Sequence, residues 1–539
     1  MQVNEDGEIM FAKSKTYEFS PVLDIIPLLS LIAGLCFITI AASFGTTPML
    51  VVTTAIVFFS LIAQLIHRMV VRNAEISFFL IVPTIMSATQ NVYLGTVADS
   101  LDSGRLQFAV ILNFIFSIAL YLVLLARNNP GTSSGLRKLI NSVTVALAFL
   151  VLYGAATVVL FRPDLTAAMA SLRNIVAPFL FLLIGLHAST WAKHIVYLRY
   201  LVLLGFATII FGFIEANIPQ FWESFNLRSL WEKKGISVQA DSGLPRNFFA
   251  SEQLVPGEFL RRMAGPFADP VNFGTFLFAV FMAAWYLKGL LSQILTVVAI
   301  VLAVSKGALL GVFVFLAFWT RYFASRISHV ISLLLLAAGA YFFYSFTLTS
   351  STGSTTAHID GFVAAFIEFP QNPFGRGLGS SGVLAGLFSE GSESTSAVTE
   401  SGLGMVIGQL GFVGLFVYVV FFVLLSHHVL RVKDLRDKTL AAGLLGGFML
   451  NAAFNEVALS PNSAAAYFII LGLVIGSSLT GAAPNSKEAH SSKETQRSEL
   501  KRFQEVAARP PERSDRLWAR GLNEKPRSGF TGFFRFSRE

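Results

Sequence analysis

The feature that most limits what this chain can fold into is a succession of apolar runs, each close to 20 residues long and separated by short charged breaks. A helix needs roughly 20 mainly apolar residues to cross about 30 Å of hydrocarbon, and inside lipid every backbone amide must be satisfied within the protein. Clear runs lie near 25–43, 48–66, 106–126, 138–160, 174–189, 196–216, 271–287, 290–304, 307–323, 328–347, 403–425 and 463–480. Two weaker runs, 74–93 with Pro83 and 438–456 rich in Gly and Ala, read as tilted or re-entrant, so twelve to fourteen spans are expected. The expected fold is an all-α, polytopic membrane helix bundle.

Composition agrees: 54% of the residues are apolar and 13% charged, whereas a soluble globule carries about 25% charged residues. One cysteine, Cys36, allows no internal disulfide and no cysteine metal site. The net charge of +8 does not imply nucleic acid, because its location follows membrane topology. With the N-terminus inside, alternation puts Arg68, Arg72, Arg127, Arg137, Lys138, Lys193 and most later loop cations on the cytoplasmic side. The opposite short loops then hold Arg105, Arg162, Arg173 and Lys306. The first run lacks a small-residue cleavage site and reads as an uncleaved anchor.

Three parts are therefore expected: a cytoplasmic segment 1–24, a transmembrane domain 25–480, and a cytoplasmic tail 481–539. The tail's thirteen Lys/Arg and eight Asp/Glu account for five of the eight net charges. Without apolar periodicity, and with Pro510, Pro511 and Pro526, it is expected to be mostly disordered.

Two connections are too long for simple turns, 217–266 and 348–402, and both fall on the extracytoplasmic side. The first carries Trp222, Trp231, Arg246, Glu252, Arg261 and Arg262; the second carries His358, Asp360, Glu368, Arg376 and Glu400. Gly377, Gly379 and Gly382 match a dinucleotide fingerprint, but no strand precedes them, so a turn needing positive φ, with Arg376 beside it, is the better reading. No metal-protease or P-loop motif occurs, and no metal or other cofactor is implied. Glu215 and Glu456 fall at outer span ends, where interfacial solvation accounts for them, and ionisable residues deep in spans are scarce. That scarcity, with no internal repeat, counts against a transporter.

Three segments resemble the bacterial O-antigen ligase and Wzy-type O-antigen or exopolysaccharide polymerase superfamily. They are RRMAGPFADPVNFGTFLF from Arg261, SKGALLGVFVFL from Ser305, and NPFGRGLGSSG followed by Glu400 and a Gly-punctuated helix. The resemblance covers roughly residues 200–430. It implies a GT-C-like, metal-independent glycosyltransferase of the inner membrane that takes an undecaprenyl-pyrophosphate-linked oligosaccharide as donor on the periplasmic face. It also implies partner proteins of envelope polysaccharide export. Ligases of the family carry a His shortly before the acidic residue, whereas SESTSAVTES has none, which favours polymerase over lipid A core ligase.

Departure of a pyrophosphate leaves charge that guanidinium groups stabilise, so Arg262, Arg376, Arg261 and Arg246, together with Lys306, are the candidate pyrophosphate ligands. Glu400 and His358 are the candidate bases for the acceptor hydroxyl, with Asp360, Glu368 and Glu252 in reserve. Trp222 and Trp231 are candidate sugar-stacking residues, their bland alternative being an interfacial aromatic belt. The rivals from other classes are a lipid-linked oligosaccharide flippase and a non-catalytic envelope scaffold.

Overall fold

The computed structural model describes residues 2–3, 9–10, 77–100, 103–126, 132–218, 220–250, 260–350, 352–382 and 400–480. The runs at 25–43 and 48–66, the tail 481–539 and the candidate Glu252 lie outside these residues. Of the segment 1–24 only a two-residue antiparallel pairing is described, Gln2–Val3 with Ile9–Met10.

Each of the other twelve runs is a helix. In chain order they are α1 Ser77–Thr96, α2 Ser103–Ala126, α3 Ser134–Phe161, α4 Leu165–Ala188 and α5 His194–Asn217, then, after the short α6 Leu227–Lys233, α7 Pro270–Tyr286 and α8 Leu290–Leu302. They continue with α9 Lys306–Phe323, α10 Arg326–Ser350, α11 Thr352–Glu368, α12 Gly402–Arg431, α13 Leu435–Phe454 and α14 Pro461–Thr480, of which α11 lies within the second long connection. Among the described residues, eight helices are long and apolar enough to cross a membrane: α1, α3, α4, α5, α9, α10, α12 and α14. The protein is thus an all-helical, multi-span membrane bundle. The run containing Pro83, expected to be tilted or re-entrant, is one continuous helix of 20 residues, α1. One boundary moves: α4 begins at Leu165 and not near 174, because the Asp164 side chain caps it by accepting the Ala167 N–H at 2.8 Å.

The helices alternate in direction. At one end the long connections meet, with Arg262 against the carbonyls that close α8 and the Glu456 N–H donating to the Glu400 carbonyl at 2.7 Å. At the other end His194, Tyr286 and Asp437 tie α5, α7 and α13 together. The central pair is α4 with α14. A Cβ on Gly185 would stand 2.5 Å from the Ile469 carbonyl oxygen, and one on Gly472 2.6 Å from that of Leu182. Small residues let these backbones touch, which is how helices gain dispersion energy where lipid supplies no hydrophobic drive. Across the bundle, Tyr418 donates to the Ile175 carbonyl and Tyr467 to that of Thr275, at 2.7 and 2.8 Å. At the periphery α10 turns out Ile327, Leu334, Leu335 and Phe342, a surface suited to acyl chains and not to water.

The first long connection folds into its own apolar cluster of Trp222, Leu227, Leu230, Trp231, Leu244 and Phe248 over Leu94 and Val97 at the end of α1. The second forms α11 and then a glycine-rich loop that docks into a break in α12. At that break Gly411 adopts φ 59°, ψ −142°. The loop satisfies the groups exposed there: Phe412 N–H donates to the Pro373 carbonyl, Arg376 N–H to that of Gly408 and Gly377 N–H to that of Gln409, at 2.7, 2.9 and 3.0 Å. Irregular backbone is tolerated inside a bundle only when paired in this way.

Candidate active site at the loop-bearing end

Glu400 directly precedes α12. Ser401 caps that helix by accepting the Gly404 N–H at 2.9 Å and donates to the Ala453 carbonyl at 2.5 Å, so the position of Glu400 is fixed against the end of α13. His358 lies on α11, and its Nδ1 is 3.1 Å from Glu400 Oε2. Both side chains are half-buried, and the contact has ion-pair distance without hydrogen-bond alignment. Burial lowers the imidazole from its ordinary value of 6.5, the Glu400 carboxylate opposes that, and the Lys306 cation adds to it. The net direction keeps His358 neutral near pH 7, the form that accepts a proton.

Lys306 opens α9 immediately after Ser305, and the charges acting on it are those of Arg262 and Glu400. The Arg262 guanidinium donates to the carbonyls of Asn247 and Ala303 at 2.9 Å and of Val304 at 3.2 Å. It therefore latches the first long connection to the α8–α9 turn, two residues from Lys306. Burial pulls its pKa down to about 10, against the nearby Asp269 carboxylate, so it stays charged at neutral pH. Three of its five N–H groups are used in the latch, which leaves two for a ligand.

The remaining candidates have other surroundings. Arg261 donates to the Glu215 carboxylate and carbonyl at 3.0 and 3.1 Å. Glu215 is fully buried, and it also accepts from Trp222 Nε1 at 2.9 Å and from the Ala264 N–H at 2.6 Å. The expectation that Glu215 is simply solvated at an outer end is corrected: it is the enclosed knot of the first connection. Trp222 and Trp231 are 2% and 3% exposed, so they pack inside that connection and leave no ring face open to a sugar. Arg246 is exposed in a short turn, and Asp360 is exposed on α11. Arg376 is ion-paired with Glu368 beside the glycine loop. Gly377, Gly379 and Gly382 have φ of 92°, 77° and 99°, as a turn needing left-handed backbone requires. A Cβ on Gly382 would come within 2.7 Å of Glu456 Oε2, and Glu456 is itself buried, not solvated.

Two cations escaped the sequence reading of the site. Arg173, read there as a short-loop residue, belongs to α4, and Lys234, just after α6, donates to Asn91 Oδ1 at 2.7 Å. The signal for Arg173 was Asp164, a capping residue that starts the helix early enough to draw the arginine inside. The charged groups now form a relay of neighbours: Arg173, Lys234, Asp269, Arg262, Lys306, Glu400 and His358, each within electrostatic reach of the next. Among the described residues no group of three His, Cys, Asp or Glu side chains converges. Comparison with protein-family models finds none that matches the chain, and comparison with curated proteins finds no match.

Proposed function

We propose that the protein is a membrane-embedded glycosyltransferase that polymerises undecaprenyl-pyrophosphate-linked oligosaccharide units at the periplasmic face of a bacterial inner membrane. In this reading both termini are cytoplasmic. The observation that carries it is the His358–Glu400 contact at 3.1 Å with the Lys306 cation beside it. A neutral imidazole backed by a carboxylate can take the proton of an acceptor hydroxyl, because the carboxylate stabilises the imidazolium that forms. As the hydroxyl oxygen bonds to the anomeric carbon, the bond from that carbon to the pyrophosphate oxygen breaks and the electron pair leaves with undecaprenyl pyrophosphate. Lys306 and the two uncommitted N–H groups of Arg262 supply charge for that leaving group. Arg376, held by Glu368, is the more remote candidate. The resemblance of the Arg261, Ser305 and Glu400 segments to the O-antigen polymerase and ligase superfamily supports the same chemistry.

The test is reconstitution. Purified protein given an undecaprenyl-pyrophosphate oligosaccharide yields a ladder of longer lipid-linked glycans, and Glu400→Gln and His358→Ala each lower the rate about 10²–10⁴-fold, the usual contribution of a general base. No ladder from folded wild-type protein overturns the proposal, and glycan transfer to lipid A core in its place selects a ligase.

A further inference from the structure

Arg173 sits about two turns into α4, within the bundle. Its Nη2 donates to Asn174 Oδ1 at 3.3 Å, while its Nε is sealed from solvent with no hydrogen-bond partner among the described residues. The guanidinium lines a small cavity with Ser87 and Gln90 of α1, Ser117 of α2 and Asn462 at the start of α14. The second cation within reach, Lys234, repels it, and the acidic group acting on that lysine is Asp269. A buried guanidinium normally meets a carboxylate, and a water that filled the cavity would satisfy its N–H but not its charge. The neighbouring hydroxyls and amides are neutral donors. The N-terminus of α14, a helix of 20 residues, faces the same space and favours negative charge. Guanidinium, hydroxyl, amide and helix end together make a cradle for one oxyanion, in a space too small for a sugar, with the Lys234 ammonium adding positive charge from outside the cavity.

From this we infer that the Arg173 cavity is a binding site for a phosphate-class oxyanion, separate from the His358–Glu400 pair. The site goes beyond the proposed transferase and does not depend on it, since binding is read without turnover. The anion arrives either as free phosphate or as the phosphate of a membrane lipid, because the cavity lies at the loop-bearing end, where headgroups reside.

The experiment uses the full chain in nanodiscs of zwitterionic lipid. Two probes are titrated, inorganic phosphate in solution and a polyprenyl phosphate built into the disc, with binding followed by intrinsic tryptophan fluorescence and by thermal shift. The expected result is that wild-type protein and Glu400→Gln bind at least one probe equally. Arg173→Gln then weakens that binding at least tenfold, Arg173→Lys less, and Ser117→Ala about threefold. Because Arg173→Gln can disturb folding, Ser117→Ala and Gln90→Leu serve as variants that leave all charges in place. Loss for both probes assigns free phosphate as sufficient, and loss for the lipid probe alone assigns a headgroup site. Binding of neither probe by folded wild-type protein, or unchanged binding of both by Arg173→Gln and Gln90→Leu, overturns the inference. Binding that persists while no glycan ladder forms would sink the transferase proposal and leave this site standing.

Discussion

His358 and Glu400 belong to different elements, and only the fold brings them to 3.1 Å. The pair sets a pH dependence whose sign is fixed. Burial and the Lys306 cation outweigh Glu400 and keep the imidazole below its ordinary 6.5, so the folded protein binds that proton less readily than the unfolded chain. The acid limb of the extension rate is therefore expected to have its midpoint below 6.5, and His358→Ala should abolish that limb. The same group costs stability as pH falls from 6.5 through the lowered value, so thermal melting of His358→Ala should drop less over that interval than wild type. A second residue-scale prediction concerns Glu215. Its removal strands Arg261, Trp222 Nε1 and two backbone N–H groups in a buried site. Glu215→Ala should cost about 3–5 kcal/mol, measured by chemical unfolding in detergent. In sequence Glu400, Lys306 and Arg262 were legible as charged groups at the outward ends of spans, and His358 as the histidine of the second long connection. The roles of Arg261 and Trp222 were not: Glu215 lies 46 residues from Arg261, across the long connection, and although it is only seven residues from Trp222, no periodic pattern pairs an indole with a carboxylate at that spacing.

Among elements, α12 is the most informative. Its run of apolar residues was legible, but the break at Gly411 was not, since a glycine in an apolar helix reads equally as a packing residue. What makes it a break is the loop that carries Pro373 and Gly375: a Cβ on Gly411 would lie 2.2 Å from the Pro373 carbonyl oxygen. Gly411→Ala should cost at least about 1–3 kcal/mol from backbone strain alone. It should also release the loop, which limited proteolysis between Glu368 and Gly382 can read. If Gly411→Ala melts like wild type and its loop stays protected, the docking is not needed. The boundary of α4 teaches the converse. Apolar content alone starts the helix near 174, and the Asp164 cap extends it far enough to draw Arg173 into the bundle. A hydropathy window weights side chains and overlooks a cap.

For the whole molecule, the order of spans was legible because lipid admits few backbone arrangements, and each apolar run within the described residues is a helix. The pairing of α4 with α14 was not legible, since it depends on backbone approach at Gly185 and Gly472, far apart in the chain. Replacing Cys36 by Ser leaves a chain without thiols, in which single cysteines report sidedness. Asp241→Cys on the first long connection should react with an impermeant maleimide from outside intact cells, and Lys193→Cys at the opposite end should react only after lysis. The central claim, that His358 and Glu400 act as one catalytic unit, is tested most directly by a double-mutant cycle. Single-turnover rates of chain extension are compared for wild type, His358→Ala, Glu400→Gln and the double variant. A unit predicts that the double variant is no slower than the slower single, because each change alone disables the pair. Losses that multiply in the double variant, or either single variant running at the wild-type rate, would contradict it.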